Sequence, residues 1–205
     1  MRITSVAAFA AFVILPAASW AEQPVADPDT GCQIRDHYPD PGRAIRWTGA
    51  CKDGFANGFG VLHWTQDGRP DGHVEGTYLD GRLEGRARVA WTDGRRLVGS
   101  FVGGLMNGQG SFRWPDGRRY DGDWKDDRRT GRGTLTLPDG SRYVGGFRRN
   151  RPTGDGVFVT ADGHHVTPRV DARGNVSAGA PLPRPPESAA LATPRGGSFE
   201  DWLQD

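Results

Sequence analysis

The sequence predicts an all-β protein: an elongated, twisted, single antiparallel sheet made of tandem β-hairpins. Three observations carry this. Asp-Gly pairs recur at Asp67-Gly68, Asp93-Gly94, Asp116-Gly117, Asp139-Gly140 and Asp162-Gly163, the last four spaced by 23 residues, which marks an internal repeat. Between the pairs, bulky residues and glycines alternate in steps of two, the period of a strand with one buried face. The 205 residues include 31 glycines and 15 prolines and are only 36% apolar, a composition suited to tight turns and too lean for a large conventional core.

Taken in chain order, residues 1–21 read as a secretory signal peptide. Arg2 is the positive head, Val6 to Pro16 the apolar stretch, and Ser19-Trp20-Ala21 the small-x-small cleavage site. The expected location is therefore secreted or periplasmic, with a mature chain starting at Glu22. Cys32 and Cys51 are the two cysteines of the chain. In an oxidising compartment they read as a structural disulfide, since two cysteines without CxxC spacing suit neither zinc nor redox catalysis. Closing that loop stabilises a fold by about 3 kcal/mol. Residues 22–46 contain Pro39, Pro41 and Gly42 and are expected to cap the array, pinned by the bridge over its first strand.

Residues 47–163 carry five units, at approximately 47–73, 74–96, 97–119, 120–142 and 143–165. First strands read Trp47-Gly49-Cys51, Val74-Gly76-Tyr78, Leu97-Gly99-Phe101, Tyr120-Gly122-Trp124 and Tyr143-Gly145-Phe147. Second strands read Gly60-Leu62-Trp64, Ala87-Val89-Trp91, Gly110-Phe112-Trp114, Gly133-Leu135-Leu137 and Gly156-Phe158-Thr160. Each unit is thus a hairpin with one apolar face. Glycines inside strands, such as Gly99 and Gly122, are expected to leave room for rings of another unit. Those at Gly54, Gly58, Gly81, Gly85, Gly104 and Gly108 are expected to supply positive φ in turns. The opposite face is polar, with Glu75, Ser100 and Asp121 on first strands and Arg88, Ser111, Arg113 and Thr134 on second strands. Five hairpins give about ten strands and a length of roughly 50 Å. The apolar face is expected to form an aromatic groove from Trp47, Trp64, Tyr78, Trp91, Phe101, Trp114, Tyr120, Trp124, Tyr143 and Phe147, with Trp124 buried in the central stack.

Tyr120-Asp121-Gly122-Asp123-Trp124 followed by Gly131-Arg132-Gly133, and Tyr143-Val144-Gly145-Gly146-Phe147 followed by Gly154-Asp155-Gly156, resemble the MORN repeat (membrane occupation and recognition nexus), here of an exported bacterial type. Ala87, Asp127 and Cys51 depart from that pattern, and 27 residues separate the first and second units. The resemblance implies two kinds of role: a scaffold or oligomerisation module, or an anionic-lipid binder.

Beyond the repeats, residues 164–177 are expected to form a terminating strand, with Val166 in register and Pro168 in the place of a glycine. Residues 178–205 read as a Pro-rich disordered tail ending in Phe199, Trp202 and Leu203, a short apolar motif.

No catalytic signature is present: there is no Gly-x-Ser-x-Gly, P-loop or HExxH motif. The expectation is a non-enzymatic protein without cofactor or metal. A formal net charge of +1 argues against nucleic acid as a partner. Charge is nevertheless polarised, with fifteen Lys and Arg against seven Asp and Glu between residues 86 and 151. Arg96, Arg119 and Arg142 recur after Asp-Gly, with Arg95 and Arg118 beside two of them, and are expected to form a ladder along one edge for an anionic surface or acidic partner. The sequence therefore points first to a protein-interaction scaffold that binds a partner or its own copy, and second to an anionic-phospholipid module.

Overall fold

The structure, a computed structural model, describes residues 22–182. The signal-peptide reading of 1–21, and the terminal Phe199, Trp202 and Leu203, lie outside the described residues. The strands are β1 (Gln23–Ala26), β2 (Gln33–Asp36), β3 (Arg43–Trp47), β4 (Cys51–Lys52), β5 (Phe55–Ala56), β6 (Gly58–Gln66), β7 (Arg69–Leu79) and β8 (Arg82–Trp91). They continue with β9 (Arg96–Val102), β10 (Leu105–Arg113), β11 (Arg119–Lys125), β12 (Arg128–Thr136), β13 (Arg142–Arg148), β14 (Arg151–Val159), β15 (His165–Val170) and β16 (Val176–Pro181). β3 and β6 to β16 form one twelve-stranded antiparallel sheet in which neighbours in space are neighbours in sequence.

Two kinds of turn alternate at the two edges, and each follows from its residues. At the hairpin tips, Asp53-Gly54, Asp80-Gly81, Gly103-Gly104, Asp126-Asp127 and Arg149-Asn150 hold both central residues at positive φ, the two-residue turn whose twist matches that of the strands. Asp and Asn tolerate this conformation best among residues with a side chain, which is why Asp127 and Asn150 can stand where the first three tips have glycine. At the other edge only the glycine is left-handed at Gly94, Gly117, Gly140 and Gly163, whereas the Asp67-Gly68 turn of the first unit has both residues at positive φ. In those four the glycine N–H donates to the carbonyl three residues back, for example Gly94 to Trp91 at 3.1 Å. The preceding Asp caps the same turn, with Asp93 Oδ1 accepting from Arg95 N at 2.9 Å and Asp116 Oδ1 from Arg118 N at 3.0 Å.

The Gly-x-Gly of each unit does two different things. The first glycine, at positions 58, 85, 108, 131 and 154, is left-handed and accompanies the register shifts between Met106 and Gly110, Gly122 and Trp124, and Gly145 and Phe147. In the first and fourth units the second lies under a ring, while Gly110 of the third lies against Met106 Cε. A Cβ on Gly133 would stand 2.5 Å from Cε2 and Oη of Tyr120, and one on Gly60 2.5 Å from Cη2 of Trp47. The rings therefore lie over glycines of their own hairpin rather than of another unit: Gly122 and Gly133 are opposite each other, and the Tyr120 ring leans along the strand across both. Where the second unit opens with Val74 instead of a ring, Ala87 replaces glycine and the Leu83 side chain fills the space over Gly76.

Three expectations about the ends are corrected. The repeats do not stop at a single terminating strand: β15 and β16 form a sixth hairpin, and β16 runs to Pro181, so residues 178–181 are strand rather than tail. Asp171 explains the turn, its Oδ1 accepting from both Arg173 N and Asn175 N at 2.8 Å beside left-handed Gly174. The first unit begins before Trp47, at Arg43, and its tip separates into β4 and β5, which join β1 and β2 in a four-stranded sheet. Finally, the N-terminal segment does not lie over the first strand. It runs as a strap along the hairpin tips: Gln33 N donates to Gly54 O at 2.9 Å and Arg35 N to Gly81 O at 2.8 Å. His37 Nε2 lies 2.6 Å from Gly103 O, and Tyr38 Oη donates to Asp127 Oδ2 at 3.0 Å. Successive alternate residues thus meet successive tips.

Candidate functional site

Cys32 and Cys51 are joined, with Cα atoms 5.9 Å apart. The bridge ties the start of β2 to the first hairpin tip and so anchors the strap. Buried Asp27 adds a second tie, its Oδ2 accepting from Trp47 N at 2.8 Å. Glu22 provides a third through Arg82 Nη2 at 2.6 Å and His37 Nε2 at 3.0 Å. The Arg82 hydrogen bond holds the Glu22 carboxyl below the usual carboxylate range.

The polar face carries a continuous cross-strand row along the Asp-Gly edge. Register places Arg46, His63, His73, Ala90, Arg96, Arg113, Arg119, Thr136, Arg142, Val159 and His165 opposite one another on eleven successive strands. Arg96, Arg119 and Arg142 thus share a row, as the repeat spacing implies, and Arg113 completes three adjacent arginines. Arg95 and Arg118 do not join them. One residue earlier in the chain, each turns to the aromatic face, where Arg95 lies 4.9 Å from the Trp91 ring and Arg118 5.3 Å from the Trp114 ring. Each is also paired with the Asp of its own turn, Arg95 with Asp93 at 2.6 Å and Arg118 with Asp116 at 2.7 Å. Within the row, Arg119 pairs with Asp121 at 2.7 Å, and Arg46 pairs with Asp29.

The aromatic face is the opposite one. Trp47, Tyr78, Phe101, Tyr120, Tyr143 and Phe147 are buried; Trp64, Trp91, Trp114 and Trp124 are only partly covered. Trp124 is therefore not the buried centre of the stack; Tyr120 and Tyr143, both 0% exposed, hold that place. Ring contacts link the units, edge-on for Trp64 to Trp91 at 6.1 Å and Tyr120 to Phe147 at 4.8 Å and tilted for Trp91 to Phe112 at 6.0 Å. Phe112, partly covered, belongs to this set as well. Near the last hairpins the face opens into a hollow of about 280 Å³ lined in part by Leu137, Phe158, Thr160 and Val176.

One residue of this face escapes composition and charge counting. Arg129 stands opposite Trp124, the position held in the other units by Ala56, Leu83, Met106 and Pro152. All four of those are buried. Aligning the units on that column exposes the anomaly: a guanidinium in an apolar slot. It lies 5.4 Å from the Trp114 ring, 5.5 Å from Tyr120 and 5.8 Å from Phe147. Burial lowers its pKa, and the nearby positive charge of Arg118 acts in the same direction. Its Nη2 donates to Asn150 O at 2.6 Å.

Among the described residues no three His, Cys, Asp or Glu come together as a metal-holding group, and no helix is long and apolar enough to cross a membrane. Comparison with protein families matches the MORN repeat at residues 49–69, 98–118, 120–142 and 143–165. The unmatched second unit is the one with Val74 and Ala87 in place of the ring and its glycine. No curated protein matches the chain. Hairpins, glycine columns and turn pairs recur through the matched span, and the chain belongs to the MORN-repeat family.

Proposed function

We propose that this protein is an exported, non-enzymatic interaction module whose aromatic face docks a protein partner or a second copy of itself. The observation that supports the reading is the row of partly covered rings, Trp64, Trp91, Phe112, Trp114 and Trp124, on a face whose first units also take Ile34 and Ala56 of the four-stranded sheet into their core. Large rigid rings with one side still open suit the anchoring of a partner. The strap and the disulfide keep the hairpins in register, so the rings are held in a fixed line before any partner arrives. The test is crosslinking in the envelope, followed by identification of what is captured by the parent and by Trp91→Ser/Trp114→Ser, which removes two half-open rings. Capture of the same partners by both proteins would reject the aromatic face as the docking surface.

A second reading, an anionic membrane surface, is favoured by the arginine row of the polar face. It ranks lower because Arg95 and Arg118 turn away and are paired with Asp93 and Asp116. Sedimentation with acidic and neutral liposomes at low and physiological salt tests it, using Arg113→Gln/Arg142→Gln. Salt-sensitive binding to acidic liposomes that the variant loses would put this reading first.

A further inference from the structure

Arg129 is costly where it stands. Its column in the repeat is otherwise apolar and buried, and even partial burial of a guanidinium without a carboxylate is unfavourable. Three rings and one carbonyl hold it in place, and none of them neutralises it. Arg129 is itself only half-buried, and its donors other than Nη2 are not among the side-chain nitrogens that are both buried and without a partner. The site therefore offers a cation without a carboxylate beside the half-open rings of Trp114 and Trp124. Its complement is a segment that carries carboxylates interleaved with large apolar side chains.

The chain contains such a segment. Ser198-Phe199-Glu200-Asp201-Trp202-Leu203-Gln204-Asp205 has three carboxylates among Phe, Trp and Leu. The last described residue is Leu182, whose N–H donates to His165 O at 2.9 Å, so the chain leaves the sheet at its Asp-Gly edge. Four inter-strand spacings separate β16 from β12, about 19 Å across the sheet at 4.8 Å each; the diagonal to the tip edge makes about 30 Å. Residues 183–197 span up to about 50 Å when extended. The hollow beside Leu137, Phe158 and Val176 lies at the end of the sheet from which the chain leaves.

We propose that the acidic aromatic segment 198–205 docks on the aromatic face of its own chain, with a Glu200 or Asp201 carboxylate on the Arg129 guanidinium and Phe199 or Trp202 against the open rings of Trp114 and Trp124. This rests on the reading of the aromatic face as a docking surface and names an occupant for it. The segment would then compete with any external partner for the same rings. Tethering gives it an effective concentration in the millimolar range, so a weak intrinsic contact suffices to fill the site.

The test uses the full mature chain with Ser198→Cys carrying a nitroxide label; both native cysteines are engaged in the bridge. Amide signals of 112–114, 124–131 and 145–150 should broaden, while those of the polar-edge residues 63 and 73 should not. In Arg129→Met, which restores the side chain used at Met106, the broadening should fall at least severalfold and the melting temperature should hold or rise. Glu200→Gln/Asp201→Asn should lose the broadening with no change in melting. Uniform broadening of the whole sheet, or broadening that persists in Arg129→Met, would overturn the proposal. Broadening seen only between labelled and unlabelled chains in a mixture would overturn it in favour of a second copy. Loss of melting temperature in Arg129→Met, with broadening intact, would leave Arg129 as a structural residue. Partner capture through Trp91 and Trp114 can succeed while all of these fail, so the two readings are separable.

Discussion

Gly133→Ala isolates the packing that holds the array together. The new Cβ would fall 2.5 Å from Cε2 and Oη of Tyr120 and 2.6 Å from its Cζ, where carbon contacts settle at about 3.5–4.0 Å. The ring cannot yield: it is fully buried, faces Phe147 at 4.8 Å and Trp124 at 5.4 Å edge-on, and donates its hydroxyl to Asp123 O at 3.1 Å. Gly133 is not left-handed, so alanine brings no backbone penalty and the cost is overpacking, about 3 kcal/mol at the upper end of such changes. Two companions calibrate it. Gly140→Ala has φ +84° and nothing within 4 Å, so it should cost about 1 kcal/mol through the backbone alone. Gly99→Ala meets Met106 Cε, the free end of a flexible side chain, and should cost less than Gly133→Ala. Urea unfolding followed by tryptophan fluorescence measures all three; at about 2–4 °C per kcal/mol the Gly133 variant should melt about 6–12 °C lower. Combining it with Tyr120→Ala removes the clash, so the pair should be less harmful than the sum by about 1 kcal/mol or more. Gly133→Ala costing no more than Gly140→Ala, or strict additivity with Tyr120→Ala, would refute ring-on-glycine packing.

Three further outcomes are expected. Protein isolated without reductant should weigh two hydrogens less than the reduced form, and Cys32→Ser/Cys51→Ser should lose about 3 kcal/mol, given a sequence separation of 19; two free thiols in protein isolated that way would contradict the bridge. Because the Glu22 carboxyl is held low by Arg82, its contribution is present above the unfolded carboxylate pKa and is lost as pH falls through the folded value. Hydrogen exchange in β1 and β2 should therefore accelerate in acid before the central hairpins respond, and Arg82→Ala should remove that acid sensitivity. Burial raises the phenol pKa of both Tyr78 and Tyr120, so their stabilising effect is complete below about pH 10 and fades as pH climbs further. Ultraviolet titration should show these two phenols ionising only with unfolding; their titration in the folded protein would mean that the rings are open to solvent.

The hairpins were legible in the sequence because their causes are local. Alternation sets which side chains share a face, and Asp-Gly pairs specify turns within a few residues. The left-handed glycines at 54, 58, 81, 85, 104 and 108 follow from the same neighbourhood. Strand parity likewise put Arg96, Arg119 and Arg142 in one row, and it also sends Arg95 and Arg118 to the other face once each is counted from Leu97 and Tyr120. Arg129 was legible in principle, as the charged member of a column with Ala56, Leu83, Met106 and Pro152, although only the structure shows that this column is buried.

The strap was a different matter. Its course depends on Gln33 N, Arg35 N and His37 meeting the carbonyls of Gly54, Gly81 and Gly103, and main-chain carbonyls carry no residue signature at such separations. The sixth hairpin depended on Val166, Val170 and Val176 finding a neighbouring strand to cover them, which a weakened motif with Pro168 does not announce. Local turn chemistry and periodicity determined the repeat and the two faces, and a count of two cysteines determined the bridge partners. Tertiary structure decided where the N-terminal segment lies, which rings are covered and which stay open, because burial is set by what packs from elsewhere in the chain and not by the residue itself.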